Sequence, residues 1–183
     1  CSIVLPSNVS IIGASAFKEC DKLKSVEFPE DSKLKFFCEG PFNKSKIERL
    51  SIPSNINIIQ SGIFIGTPYL NDIELLSCDT NNNLYYFNDE FIFGKSDQFN
   101  ENYDVLVYAR RDIKKATIPS FIKFIAPAAF EDCTQLENVD ISNLKLKELN
   151  IKTFSKSSIK SVKIPAEVEK IHESCFSFCK NLQ

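Results

Sequence analysis

Three residues near the end of the sequence have side chains that could bind a metal or perform catalysis. In the segment IHESCFSFCKNLQ, residues 171–183, His172 is the only histidine of the chain, and Cys175 and Cys179 follow it closely. Imidazole and thiolate groups are common ligands of Zn²⁺, and a cysteine beside a histidine is also the arrangement of a nucleophilic catalyst. Which of these applies, if either, depends on the structural elements that position the three side chains.

A recurring proline divides the chain into units of about 23 residues, the period of leucine-rich repeats. Each proline closes a short apolar stretch, as in IVLP, VEFP, LSIP, ATIP and VKIP, and Leu76 and Ser142 fill the same slot in two further units. A phenylalanine follows each of six anchors by 11 to 13 residues. These phenylalanines are Phe17, Phe42, Phe64, Phe130, Phe154 and Phe176. Self-similarity at this period predicts a solenoid of stacked repeats.

Before each anchor, apolar and polar residues alternate. The apolar members are Val26 and Phe28, Leu50 and Ile52, Ile73 and Leu75, Val139 and Ile141, and Val162 and Ile164. A period of two indicates a strand with one buried face. A second short apolar stretch follows the anchor and precedes the turn that contains the phenylalanine. Stacked units then place their first strands side by side, so the sequence predicts a mainly β solenoid with a parallel sheet.

The repeat is I-P-x-x-[VI]-x-x-I-x-x-x-[AS]-F-x-x-C-x-x-L-x-x-[VI]-x-[IF]-P, and it covers nearly the whole chain. This pattern resembles the BspA-type, or treponemal-type, leucine-rich repeat family. The resemblance implies a curved solenoid whose parallel sheet lines the concave face. It also implies a surface or secreted protein of a bacterium or an anaerobic parasitic protist, with adhesion to host extracellular proteins as the usual role.

The repeat register explains the residues near the end of the sequence without a metal. Cys179 occupies the slot three residues after the phenylalanine, which elsewhere holds Cys20, Ser45, Thr67, Cys133 and Ser157. Cys175 occupies the apolar slot of Ala16, Ile63 and Ala129, and His172 shares its slot with Gly13, Gln60 and Ala126. Both thiols are therefore predicted to pack within the repeats, and we expect no metal site.

Sequence motifs of the common enzyme classes give no alternative chemistry. The chain contains no G-x-G-x-x-G, G-x-x-x-x-G-K-[ST], H-E-x-x-H or G-x-S-x-G pattern, and one histidine leaves little for general base catalysis. We therefore predict a protein that is not an enzyme, with no catalytic residues and no cofactor.

One segment interrupts the period, because the anchors at 76 and 119 lie 43 residues apart. Within this insert, about residues 77–116, the runs FIFG and VLVY predict a β-hairpin-like interruption near residues 84–112. The linking loop, KSDQFNENYD, carries Phe99 and Tyr103, which either anchor a partner or fold back over the hairpin. Its acidic residues lack the D-x-D-x-D-G order of a calcium loop.

Length and charge set outer limits on the function. A formal net charge of −2 gives no electrostatic basis for binding nucleic acid or an anionic membrane surface. No apolar run approaches the roughly 20 residues of a membrane span, so we expect no membrane insertion by this segment. The repeats predict one solenoid domain over residues 1–183, and a chain that begins and ends within a repeat is expected to be a fragment of a longer protein.

The cellular compartment has two interpretations. Seven cysteines, an odd number placed mostly in interior slots, argue against a disulfide framework and favour a reducing compartment. The resemblance instead implies the cell surface or secretion, where the sequons at Asn8 and Asn43 could be glycosylated. Two hypotheses follow: an interaction module of a cell-surface, adhesin-like protein, or a cytoplasmic scaffold or signalling repeat protein.

Strand residues that alternate with the buried positions are expected to face outward and form a strip on the concave sheet. Solenoids use such strips to bind partners, and a mixture of acids and bases suits a protein partner better than a polyanion. The predicted partner-binding residues are Arg49, Asp72, Glu74, Lys115, Asp140 and Lys163 on the strip, with Phe99 and Tyr103 on the loop. Ser25 and Ser51 are also predicted to face outward on this strip.

Overall fold

A computed structural model of the chain describes residues 1–53, 56, 58–59, 62–76, 85–97, 99 and 101–183. These residues form fifteen short strands, and no helix occurs among them. The strands are β1 (Ser2–Val4), β2 (Ile11–Ile12), β3 (Ser25–Glu27), β4 (Phe36–Phe37), β5 (Arg49–Ile52), β6 (Ile58–Ile59), β7 (Asp72–Leu75), β8 (Tyr85–Phe87), β9 (Phe91–Gly94), β10 (Val105–Ala109), β11 (Lys115–Thr117), β12 (Phe124–Ile125), β13 (Asn138–Asp140), β14 (Glu148–Leu149) and β15 (Lys170–Ile171). The repeats stack their strands in parallel, which confirms the predicted mainly β solenoid.

The chain divides into two compact units, residues 1–83 and residues 84–183. In the first unit, the first strands of four repeats form the parallel sheet β1-β3-β5-β7, and the second strands form the parallel sheet β2-β4-β6. The register advances by one repeat at each step, so Val26 pairs with Leu50 and Leu50 with Ile73, and all three side chains are buried. That residues 1–183 form a single domain stays a prediction.

The second unit repeats this arrangement with shorter sheets. β11 pairs in parallel with β13, a single bridge joins Asn138 to Ser161, and β14 pairs in parallel with β15. Its core includes the predicted inward residues Val139 and Ile141. The prediction that Ile164 is buried is wrong, since this side chain is 37% exposed. Among the described residues, the turn that contains Ile164 has a neighbouring turn on one side only.

Phenylalanines stack from one turn to the next. Phe130 and Phe154 have ring centroids 5.2 Å apart, and Phe154 and Phe176 have centroids 5.5 Å apart. Phe17 stacks on Phe42 in the same way in the first unit. The repeat pattern predicts that Phe17, Phe64, Phe130, Phe154 and Phe176 are interior, and this is confirmed for Phe64, Phe130 and Phe154; Phe42 is buried as well. The prediction is wrong for Phe17, in the first turn of the first unit, and for Phe176, in the last turn of the second unit, since both are only half-buried and, within the described stack, each has a neighbouring turn on one side only.

Each turn also holds two residues in the left-handed backbone region, two positions before and two positions after the phenylalanine. Around Phe130 these are Ala128, with φ of 58°, and Asp132, with φ of 61°. Residues other than glycine seldom adopt this conformation. The amides of Ala128 and Asp132 donate hydrogen bonds to the carbonyls of Ile151 and Ser155 in the next turn, both at 3.0 Å. Stacking therefore stabilises a backbone that would be strained in an isolated turn.

The insert confirms the predicted hairpin and adds one strand to it. β9 and β10 pair antiparallel, with Phe93 opposite Leu106. β8, which the sequence did not reveal, pairs antiparallel with β9 at the edge, and β10 pairs in parallel with β12 of the following repeat. The hairpin is thereby anchored to a repeat strand. Residues 77–84 of the predicted insert lie outside the described residues.

Candidate functional site

The outward residues of the first strands, together with the residue directly before each strand, form what we call the first-strand face. In the first unit this face is acidic around one arginine. Arg49 Nε donates a hydrogen bond to Asp72 Oδ2 on the adjacent strand at 2.6 Å. This bond and the charge of Asp72 raise the pKa of Arg49, and Glu27 and Glu74 act in the same direction. Because Asp72 neutralises Arg49, the exposed carboxylates of Glu27 and Glu74 give the face negative charge.

Two serines that were predicted to face outward are instead buried. Ser25 and Ser51 are 9% and 6% exposed. Ser25 Oγ donates a hydrogen bond to Glu27 at 3.2 Å, and Ser51 Oγ accepts one from the Phe28 amide at 3.3 Å. Strand alternation sets the direction of the Cβ atom, but these short side chains are hydrogen-bonded to neighbouring groups and remain close to the sheet. Charged side chains therefore dominate the exposed part of this face.

In the second unit, both carboxylates of the first-strand face are engaged by other groups. Asp140 accepts hydrogen bonds from the Ser142 amide at 3.0 Å and from Ser142 Oγ at 2.8 Å, and these bonds lower the pKa of its carboxyl. Lys160 Nζ donates to Glu137 at 2.7 Å, and this bond lowers the pKa of Glu137. Lys115 and Lys163, both predicted site residues, are exposed on the same face.

The loop between β9 and β10 carries two aromatic residues that were predicted to contact a partner, and these residues differ in exposure. Phe99 is 84% exposed, and its amide is hydrogen-bonded to Asp97 Oδ1 at 2.8 Å. Tyr103 is half-buried against the core and lies 6.0 Å from the ring of Tyr86, with Lys95 Nζ 5.1 Å from its own ring centroid. The structure therefore leaves Phe99 available to a partner, whereas most of the Tyr103 side chain supports the hairpin.

A buried carboxylate closes this loop. Asp104 accepts hydrogen bonds from the Ser96 amide at 2.9 Å and from Ser96 Oγ at 2.8 Å. Burial acts to raise the pKa of Asp104, but the two hydrogen bonds and the charge of Lys123 outweigh it, so the pKa is lower than usual. The Asp104 carbonyl also accepts hydrogen bonds from the amides of Lys123 and Phe124. Asp104 thus holds the ends of the loop and attaches them to the next repeat.

His172, Cys175 and Cys179 have separate structural partners. His172 Nε2 lies 2.8 Å from Glu148 Oε2 of the preceding repeat, and Cys179 Sγ donates to the Phe154 carbonyl at 2.9 Å. Cys175 is buried in the core, and burial raises the pKa of its thiol to about 11. In the part of the chain that the structure describes, no group of three or more His, Cys, Asp or Glu side chains is placed to hold a metal ion.

We expect the purified protein to contain no stoichiometric zinc, and Cys175→Ser to leave its zinc content unchanged. The physical reason is that a neutral, buried thiol with a pKa of about 11 is a poor metal ligand at neutral pH. Elemental analysis of the dialysed parent and variant proteins provides the measurement. One equivalent of zinc in the parent, lost in the variant, would contradict the structural role assigned to Cys175.

One row of charged residues was not predicted from the sequence. The residue directly before each first strand is charged in five described repeats, and contacts join this row between neighbouring turns. The row consists of Lys24 and Glu48 in the first unit and Lys114, Glu137 and Lys160 in the second. Lys24 is ion-paired with Glu48, as Lys160 is with Glu137. The repeat spacing could have revealed this row, but it lies just outside the alternating segment.

Comparisons with known proteins agree with this geometry. Residues 1–103 and 104–183 match the sequence model of the family described as "BspA type Leucine rich repeat region", with six copies of the repeat. None of the curated proteins matches the chain in sequence. No helix long and apolar enough to span a bilayer occurs in the described ranges.

Several solved structures have the same fold. A leucine-rich cell surface protein of Faecalibacterium prausnitzii superposes with a TM-score of 0.74 at 21% identity, covering 100% of this chain and 52% of that protein. The pneumococcal vaccine antigen PcpA gives 0.77 at 20% identity, covering 100% and 49%. A leucine-rich repeat protein of Eubacterium ventriosum gives 0.66 at 19% identity, covering 100% and 58%. The chain thus spans about half the length of these proteins, and the likeness establishes the fold.

Proposed function

Because the chain belongs to the BspA-type leucine-rich repeat family, we propose that it is a non-enzymatic protein-interaction module of a cell-surface, adhesin-like protein. Its partner is a protein, in the adhesin setting an extracellular protein of a host. The first-strand faces of the two units are the proposed contact surfaces, through Arg49, Asp72 and Glu74 in the first unit and Lys115, Asp140 and Lys163 in the second. Phe99 and the exposed part of Tyr103 supplement them.

One observation carries this proposal: within each unit, the charged residues of neighbouring repeats are aligned on one exposed face. Parallel pairing places Arg49 beside Asp72 and Ser51 beside Glu74, while the intervening Leu50 and Ile73 are buried. Each first strand therefore adds its outward side chains to the same surface at a spacing of about 4.8 Å. A regular polar surface on a rigid sheet is the type of surface through which solenoids bind proteins.

Placement at the cell surface is supported by the names of two proteins of similar fold. One is described as a leucine-rich cell surface protein and the other as a vaccine antigen. Both are less than 25% identical to this chain, so they support the location only by analogy.

An intracellular scaffold or signalling protein is the second candidate, and the cysteines favour it. The described cysteines, Cys1, Cys20, Cys38, Cys133, Cys175 and Cys179, are all free thiols, which is the usual state in a reducing compartment. The gene around this segment separates the two candidates. A signal peptide together with a surface anchor supports display outside the cell, and a full-length protein with neither supports the scaffold.

Charge reversal on the face is expected to weaken a verified protein partner. In the variant Asp72→Lys, Glu74→Lys, Asp140→Lys, the dissociation constant should rise by about tenfold, because repulsion replaces attraction at Asp72 and Glu74 on the acidic face of the first unit. The stability of the variant should change by less than about 1 kcal/mol, since the side chains are solvated. Titration calorimetry and urea denaturation measure the two effects.

The matched control reverses three exposed carboxylates elsewhere, Asp21→Lys, Asp31→Lys and Glu167→Lys, with the same distribution between the units. A separate variant, Phe99→Ala, tests the loop without removing Asp104, whose hydrogen bonds hold the loop in place. If the face variant and Phe99→Ala both bind as tightly as the parent, recognition belongs to another surface and the proposed contact surface is wrong.

A further inference from the structure

We propose that the first-strand face of the second unit recognises an acidic segment of the protein partner. This inference rests on the proposed function, because it specifies the chemistry of the partner at one of the two proposed faces. The face comprises Lys114, Glu137 and Lys160 directly before the strands, and the outward positions of the strands themselves. Those outward positions are Lys115, Thr117, Asn138, Asp140, Ser161 and Lys163.

This face carries more positive than negative charges. Four lysines lie on it, Lys114, Lys115, Lys160 and Lys163, together with two carboxylates, Glu137 and Asp140. The carboxylate of Glu137 is bound by Lys160, and that of Asp140 by Ser142. Within the described residues, no carboxylate lies at ion-pair distance from Lys114, Lys115 or Lys163. Three lysine ammonium groups are thus available to a partner.

Effects on pKa values indicate that the charged side chains of this face lie close enough to influence one another. Lys114 and Lys115 both lower the pKa of Glu137, although less than its hydrogen bond with Lys160 does. Lys163 likewise contributes to the lowered pKa of Asp140, after the hydrogen bonds from Ser142. β11 pairs with Asn138, and Asn138 pairs with Ser161, so Lys115 and Lys163 are separated by two repeat steps across the strands and two residues along them, or about 12 Å. An extended segment of about four residues spans that distance.

Charge complementarity therefore favours a partner segment with several carboxylates, lying across the strands. The first unit provides an internal contrast, because its face holds Glu27, Glu48, Asp72 and Glu74 against only Lys24 and Arg49. The chain as a whole carries a formal charge of −2, so general basicity would not draw an acidic ligand to it. Any affinity for an acidic peptide should belong to the second-unit face alone.

A labelled oligoglutamate peptide tests this inference by fluorescence anisotropy on the whole chain, at about 20 mM and about 300 mM NaCl, because salt screens exposed charges. We expect saturable binding at low salt that weakens at high salt. The variant Lys114→Glu, Lys115→Glu, Lys163→Glu should bind at least about tenfold more weakly. The control Lys145→Glu, Lys170→Glu, Lys180→Glu makes the same charge change at exposed lysines away from this face and should retain binding.

Four results would overturn the inference. Equal loss in both triple variants would mean that total charge, not this face, determines affinity. Absence of binding at low salt would exclude an acidic peptide while leaving the proposed function to its own test with Asp72, Glu74 and Asp140. If heparin binds and oligoglutamate does not, the ligand of this face is a sulfated polysaccharide instead. The last result combines an absence of peptide binding with dimerisation of the parent in sedimentation that the Lys114/Lys115/Lys163 variant abolishes. It would identify the acidic face of a second copy as the occupant.

Discussion

Replacement of Phe130 by alanine is expected to lower the free energy of unfolding by about 3–5 kcal/mol. Phe130 is fully buried, stacks on Phe154 at 5.2 Å and meets the edge of Phe91 at 6.4 Å between centroids. Removing the ring therefore leaves a cavity between the insert and two stacked turns. Urea denaturation of the parent and the variant, followed by circular dichroism, measures the loss.

Phe178→Ala is the matched control, because Phe178 lies in the turn that carries Phe176, two turns from Phe130, and is 70% exposed. The loss of unfolding free energy in this variant should stay below about 0.5 kcal/mol, as for most surface substitutions. Phe176→Ala, at the half-buried end of the same stack, should fall between the two. A loss below about 1 kcal/mol for Phe130→Ala, or one equal to that of Phe178→Ala, would contradict the proposed role of the phenylalanine stack.

Replacement of Arg111 by alanine is expected to cost about 2–4 kcal/mol, through lost hydrogen bonds and a lost cation–π contact. Arg111 is 2% exposed, and its guanidinium lies 4.4 Å from the centroid of the buried Tyr108 ring. Its Nη1 also donates to the Ala129 carbonyl at 3.0 Å and to the Ala109 carbonyl at 3.4 Å. The side chain thus connects β10 to the turn that carries Phe130.

The neighbouring arginine provides the comparison. Arg110 is partly exposed and pairs with Asp112 at 2.7 Å, so Arg110→Ala should cost less than about 1 kcal/mol. Urea midpoints of the two variants at equal protein concentration measure the difference. If Arg110→Ala destabilises the protein as much as Arg111→Ala does, the buried guanidinium does not have the structural role described for it.

Much of the fold could be predicted because the same residue pattern recurs in successive repeats. The inward positions Val26, Leu50 and Ile73 follow from alternation, and their pairing follows from the period of about 23 residues, since equal spacing aligns equivalent residues. The hairpin strands β9 and β10 were visible as apolar runs. β8 was not visible, because three residues give too short a pattern to distinguish a strand from a loop.

Other features depend on neighbours that a repeat pattern does not specify. The period does not say how many turns cover a given ring, so the half-burial of Phe17 and Phe176 was missed. The left-handed backbone of Ala128 and Lys152 was equally hidden, since neither residue favours it and it is stabilised by the hydrogen bonds that their amides donate to carbonyls of the adjacent turn.

The exposure of the charged residues proposed for the site was predictable from the sequence, but their charge pairing was not. Alternation placed Arg49, Asp72, Lys115 and Lys163 on the exposed face, where the structure has them. The difference in charge between the two units depends on which side chains neutralise each other, as Asp72 neutralises Arg49 and Lys160 neutralises Glu137. It also depends on the row before the strands, which the alternating pattern does not include.

Carboxyl footprinting of the complex with a verified protein partner is the most direct test of the first-strand face. A carbodiimide and a small amine label exposed carboxylates in the free and the bound protein, and mass spectrometry locates the labels. Glu27, Asp72, Glu74 and Asp140 should become protected on binding, while the exposed carboxylates Asp21, Asp31 and Glu167 should react as before. Protection confined to carboxylates of the turns, such as Glu19 and Glu173, with unchanged labelling of the first-strand face, would contradict the assignment of that face to partner binding.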